Sequence, residues 1–127
     1  MMKKITFIFA IFVSFLFSHK CFSEWNFVNK SDIAEFYIEL DSVKKNNDYV
    51  FYWRMVNFFE PFQEKYLSVQ IYNKGDCPQN RIKTLSYIWF NRGMGRGQSK
   101  QEESVNKDWK YPSPDTAAFH DLRTVCK

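Results

Sequence analysis

The pattern of apolar and polar positions divides the chain into an N-terminal apolar run and a longer part with alternating character. After Met1, Met2, Lys3 and Lys4, residues 5–17 are apolar except for Thr6 and Ser14. Residues 18–23 return to small and polar side chains. A basic start, an apolar middle and a small-residue end are the layout of a secretory signal peptide. The run has thirteen residues, whereas a helix crossing a bilayer needs about 20. Residues 1–23 are therefore predicted to be a signal peptide, cleaved after Ser23, with Cys21 and Ser23 as the small residues read by the peptidase. A buried N-terminal helix is the alternative, and the segment has no polar face to support it. Cys21 is also a potential lipid acceptor. Ser18, His19 and Lys20 precede it, and a charged lysine at that point fits a lipoprotein box poorly. Membrane association is expected only if Cys21 is lipidated.

From residue 24 onward the apolar period becomes two, which marks half-buried strands. Trp25 to Val28 makes a short edge candidate. Ala34 to Leu40 places Phe36, Ile38 and Leu40 on one face and Glu35, Tyr37 and Glu39 on the other. Asp41 to Asp48 is a polar connection. Tyr49 to Phe58 carries Tyr49, Phe51, Trp53 and Met55 opposite Val50, Tyr52, Arg54 and Val56. Pro61 is expected to end it, because proline cannot donate to a ladder. Tyr66 to Tyr72 and Arg81 to Phe90 alternate again, with a turn at Asn73 to Asn80 between them. Short polar links between successive strands favour an antiparallel meander.

The run Asn91-Arg92-Gly93-Met94-Gly95-Arg96-Gly97 is glycine-rich, but no helical pattern follows it. A phosphate-cradling loop needs such a helix. This run and the polar segment Gln98 to Lys107 are read as a flexible loop or a bent edge, made basic by Arg92 and Arg96. Ser113, Pro114 and Asp115 then suit a helix start. Ala118, Leu122, Val125 and Cys126 follow at helical spacing with Phe119 beside them, while Asp121 and Arg123 are placed off this stripe. A helix on one face of an antiparallel sheet gives an α+β fold of two layers.

Removing residues 1–23 changes the composition. The whole chain carries a formal charge of +4 and three cysteines. The remaining 104 residues (24–127), read as one domain, carry 15 basic and 14 acidic side chains, a net charge of +1. No argument for a nucleic-acid partner survives. Cys77 and Cys126 remain, and two cysteines in an exported chain are expected to pair. The bridge would staple the helix to the sheet and close a loop of about 50 residues, a constraint of roughly 4 kcal/mol in the chain-entropy model. Two free thiols are the alternative. Metal binding is disfavoured, with one histidine left and no Cys-x-x-Cys spacing. No cofactor is expected.

No catalytic set emerges. His120 lies off the apolar stripe, and the adjacent Asp121 does not face it on a helix. Glu102 and Glu103 read as solvated. Asp76 suits a turn, bonding to its own backbone. The protein is therefore expected to be non-enzymatic. Aromatic residues are in excess. Their main role is expected to be core, with some left exposed as a partner surface. Trp89, Arg92 and Arg96 are the candidate partner contacts.

Several features in order resemble the surface-adhesin protein E family of exported bacterial proteins. They are Trp25, Phe36-Tyr37-Ile38-Glu39, Asp41-Ser42-Val43, Val50-Phe51-Tyr52-Trp53, Tyr66-Leu67-Ser68, Asp76-Cys77, Arg81, Tyr87, Met94-Gly95-Arg96-Gly97, Trp109, Pro112 and Val125-Cys126. The resemblance covers nearly all of the chain after residue 23. It implies an antiparallel sheet with a C-terminal helix tethered by a disulfide. It also implies a place at the cell surface or in the periplasm, adhesion to host matrix proteins such as vitronectin or laminin, and dimerisation. The alternative is a periplasmic accessory or structural protein of the envelope without adhesin activity.

Overall fold

The structure, a computed structural model, describes residues 24–127. The predicted signal segment, residues 1–23 with Cys21, lies outside the described residues. Seven strands form one antiparallel sheet: β1 (Asn26–Lys30), β2 (Ala34–Ile38), β3 (Lys44–Asn46), β4 (Tyr49–Phe62), β5 (Tyr66–Asp76), β6 (Arg81–Arg92) and β7 (Arg96–Glu103). The order across the sheet is β1-β2-β4-β5-β6-β7, with β3 paired to β4 beyond the end of β2. Among the described residues one α-helix, α1 (Ala117–Val125), packs on one face. The expected meander with a covering helix is what forms, with short links producing nearest-neighbour antiparallel pairs.

The helix-bearing face is built from every second residue of each strand. Val50, Tyr52, Arg54 and Val56 of β4 lie in register with Gly75, Asn73, Ile71 and Val69 of β5. Those pair in turn with Ile82, Thr84, Tyr87 and Trp89 of β6, with a bulge after Tyr72. α1 covers only one half of this face. Leu122 and Val125 pack there on Ile38, Val50, Tyr52 and Ile82. The close approach depends on Gly75. A Cβ at that position would stand 2.7 Å from Leu122 Cδ1 and 2.9 Å from Val50 Cγ2. The Cys77–Cys126 disulfide forms, with Cα atoms 5.7 Å apart, and fixes the end of the helix to the end of β5. That separation is ordinary for a bridge.

Four expectations are corrected and one open alternative is decided. Pro61 does not end β4. The strand runs to Phe62, and its ladder with β5 becomes irregular between Asn57 and Phe62, which accommodates the missing donor. The polar segment after the glycine run takes the edge alternative and is largely strand. β7 is exposed along its whole length, so no buried side imposed an alternation on its sequence, while β6 supplies its ladder. The glycine run itself is pinned rather than loose. Met94 N–H donates to Asn57 Oδ1 at 2.8 Å and Gly95 N–H to Ser68 Oγ at 2.9 Å. This folds the turn onto the face away from α1, where Gly95, at φ +68°, lies against Gln70. The helix starts later than Ser113, because Thr116 is the cap and its hydroxyl accepts the Phe119 N–H. Finally, Asp121 is buried rather than solvated, and it contacts Arg54.

Candidate partner-binding surface

The half of the helix-bearing face that α1 leaves uncovered is aromatic. Ala34, Val56 and Val69 are buried at its base, with Phe36, Phe58, Ile71, Tyr87 and Trp89 packed around them and partly buried. The rings form a continuous ladder. Phe62 stacks on Phe58 at 5.2 Å and on Trp89 at 5.6 Å, and Trp89 also meets Tyr66 at 5.2 Å and Tyr87 at 5.9 Å. Phe62 keeps 40% of its surface exposed and Phe59 50%. Beside this end of the ladder lies a recess of about 270 Å³ whose apolar lining includes Ile33, Phe58, Phe59 and Phe62. At the other rim Lys100 and Glu102 of β7, opposite Trp89 and Tyr87, form an ion pair of 3.2 Å.

Arg54 marks the boundary between the covered and uncovered halves. Its side chain is 12% exposed, and its Nε lies 2.5 Å from Oδ2 of the fully buried Asp121. Its guanidinium also stands 5.4 Å from the centre of the Phe36 ring. Burial raises the Asp121 carboxyl above its ordinary range, and the charge of Arg54 opposes that shift. The neighbouring Tyr52 phenol is pushed up to about 12, chiefly by burial, with Asn73 and Arg54 pulling it down. Asn73 is held in turn by the Thr84 hydroxyl at 2.8 Å. Tyr52, Asn73 and Asp121 are fully buried here. The cluster holds the helix against the sheet.

The three predicted contact residues divide between two places. Trp89 is the centre of the aromatic ladder. Arg92 and Arg96 face each other across the mouth of the β6–β7 hairpin and are exposed. They lie beyond the end of the ladder, where Ser68 Oγ donates to the Arg92 carbonyl at 2.6 Å. The sequence reading did not single out Phe58, Phe62, Tyr66 or Tyr87. Their aromatic character was the available signal, but only the sheet register brings them together. The aromatic excess enters the core chiefly as partly buried rings packed against it, with Phe27, Phe59, Phe62 and Tyr111 left exposed. Tyr52 is the only aromatic residue buried in full among those described. Most of the others are partly buried, many of them in stacks on the two sheet faces. His120 is exposed as expected, edge-on to Phe119. Asp76 accepts from Gln79 N–H in its turn and also binds Arg81 at 2.8 Å.

Residues 25–127 match the family described as surface-adhesin protein E. No curated protein matches the sequence significantly. Among solved structures, crystal form II of Haemophilus influenzae protein E is similar, with 18% identity and a TM-score of 0.64 over 84% of this chain and 90% of that one. Protein E from non-typeable Haemophilus influenzae is similar at 16% identity and a TM-score of 0.60, over 84% and 79%. At these identities the structural likeness establishes the fold.

Proposed function

The chain belongs to the surface-adhesin protein E family, and on that premise we propose that it is an exported, non-enzymatic protein that holds a protein partner at the cell surface. The observation that supports this most is the aromatic ladder that α1 leaves uncovered. Interface centres are rich in Trp, Tyr and Phe, and a few such anchors carry most of the binding energy. Here Trp89, Phe62, Tyr66 and Tyr87 form a rigid apolar platform. The recess beside Phe58 and Phe59 offers a place for a partner side chain. Lys100, Glu102, Arg92 and Arg96 supply a charged rim. A host matrix protein such as vitronectin or laminin is the partner that the family suggests. Residues 1–23 carry the export signal.

Two measurements test this reading. Antibody labelling of intact cells should detect the protein at the surface, and the purified disulfide-bonded protein should bind immobilised vitronectin or laminin saturably. A folded protein with no saturable binding removes the adhesin reading. Confinement to the soluble periplasm favours an accessory role in the envelope. A concentration-dependent homodimer that protects Trp89 from fluorescence quenching would mean that a second copy occupies the ladder.

A further inference from the structure

The opposite sheet face carries a second, chemically different surface. Lys44 of β3, Phe51 of β4, Lys74 of β5 and Lys83 of β6 are cross-strand partners in one row. The next row holds Asn46, Tyr49, Asp76 and Arg81. Lys74 and Lys83 are directly opposite each other. Like charges in that relation destabilise a sheet. Asp76, the one acid in these two rows, is engaged by Arg81. None of the three ion pairs among the described residues includes Lys44, Lys74 or Lys83.

An aromatic platform lies among these cations. After β7 the chain pairs again with β6, through two 2.8 Å hydrogen bonds between Lys110 and Ile82. This sets Trp109 parallel to Tyr49 at 6.1 Å. Arg81 lies 4.3 Å and the Lys83 Nζ 4.6 Å from the indole centre. The Lys74 Nζ lies 4.1 Å from the Tyr49 ring centre. Contacts of this kind offset part of the repulsion and hold the ammonium groups in place. They leave the positive charge itself uncompensated.

We propose that this face binds a linear sulfated polysaccharide. Three observations favour that ligand. Strands lie about 4.8 Å apart, so the lysine row displays cations along a line across the sheet, suited to a chain with anionic groups at repeated intervals. The partly buried, mutually stacked rings of Trp109 and Tyr49 set an apolar patch among the cations, against which the CH faces of sugar rings pack. The chain as a whole is close to neutral after residue 23, so the charge is local to this row. A nucleic acid also combines anions with stacking faces, and for a surface-adhesin family the sulfated sugars outside the cell are the nearer polyanion. This surface is independent of the aromatic ladder, since the two occupy opposite faces.

The test uses the purified disulfide-bonded protein and a heparin decasaccharide fixed to a sensor. Binding is expected to weaken as salt rises, since lysines displace counterions. In Lys74→Gln/Lys83→Gln it should fall about tenfold, with a shallower dependence on salt. Arg92→Ala/Arg96→Ala should bind like the unchanged protein. The glutamine variant keeps part of the aliphatic stems and relieves the repulsion between them, and a melting temperature no lower than that of the unchanged protein verifies its fold. Absence of heparin binding overturns the proposal. So does an equal loss in the Arg92/Arg96 variant. Equal binding of desulfated heparin overturns it as well. Tighter binding of single-stranded DNA at matched charge assigns the face to nucleic acid and also overturns it.

Discussion

Replacing Arg54 by Met leaves the Asp121 carboxyl buried without its cation. The two charged groups are in direct contact and almost dry, with side-chain exposures of 12% and 0%. Charge centres about 4 Å apart attract by about 4 kcal/mol at an effective dielectric constant near 20. Removing one partner of such a pair typically costs about 3–5 kcal/mol, because the other is left uncompensated. Arg54→Met and Asp121→Leu are each expected to lose about 3 kcal/mol. The double variant should recover most of this, since an apolar pair of similar volume costs little in place of a buried ion pair. The resulting coupling energy should exceed about 2 kcal/mol. Urea unfolding followed by tryptophan fluorescence at neutral pH, with the disulfide intact, measures all four species. A pH series adds a check of sign. Burial raises the folded pKa of Asp121 above its unfolded value of 3.8. The folded state therefore binds the proton more tightly, and this group's contribution falls as pH rises from about 4 through the folded pKa. Arg54→Met removes the opposing cation, so its loss should shrink in acid, where the carboxyl is protonated. Strictly additive single-variant losses, or a loss that does not change with pH, would refute the reasoning.

Gly75→Val should cost about 1–3 kcal/mol, because its Cβ meets Leu122 and Val50 at less than contact distance; an unchanged urea midpoint would mean that α1 sits further from the sheet. Cys126→Ser opens a loop spanning 49 positions and should lose about 4 kcal/mol in urea unfolding; maleimide labelling of both cysteines in the native unchanged protein would contradict the bridge. Tyr52 has its phenol pushed up to about 12 by burial. Its contribution to stability is complete below about pH 10 and declines as pH rises toward 12. Ultraviolet titration should therefore show a phase near pH 12, and Tyr52→Phe should remove it.

The strands with one apolar side were legible in sequence because burial wrote a period of two into β2, β4, β5 and β6. The disulfide was legible from cysteine number and the expected export signal. β7 was not, since its partner strand supplies hydrogen bonds without asking anything of its side chains. Asp121 carried a signal that polarity obscured. It lies three residues after Ala118 and four before Val125, which places it on the helix stripe, and only Arg54, far away in sequence, makes a carboxylate tolerable there. Trp89 was singled out as an aromatic of β6. Its neighbours Phe58, Phe62, Tyr66 and Tyr87 come from three strands and meet only through register. The lysine row was equally invisible, because Lys44, Lys74 and Lys83 are far apart along the chain.

The most direct test of the account is the affinity of the purified protein for immobilised vitronectin or laminin, measured beside Trp89→Ser/Phe62→Ser. Loss of two anchors of the ladder should weaken binding by at least about 2 kcal/mol, roughly thirtyfold, with the melting temperature verifying the fold. Undiminished affinity in a folded double variant would contradict the claim that this ladder holds the partner.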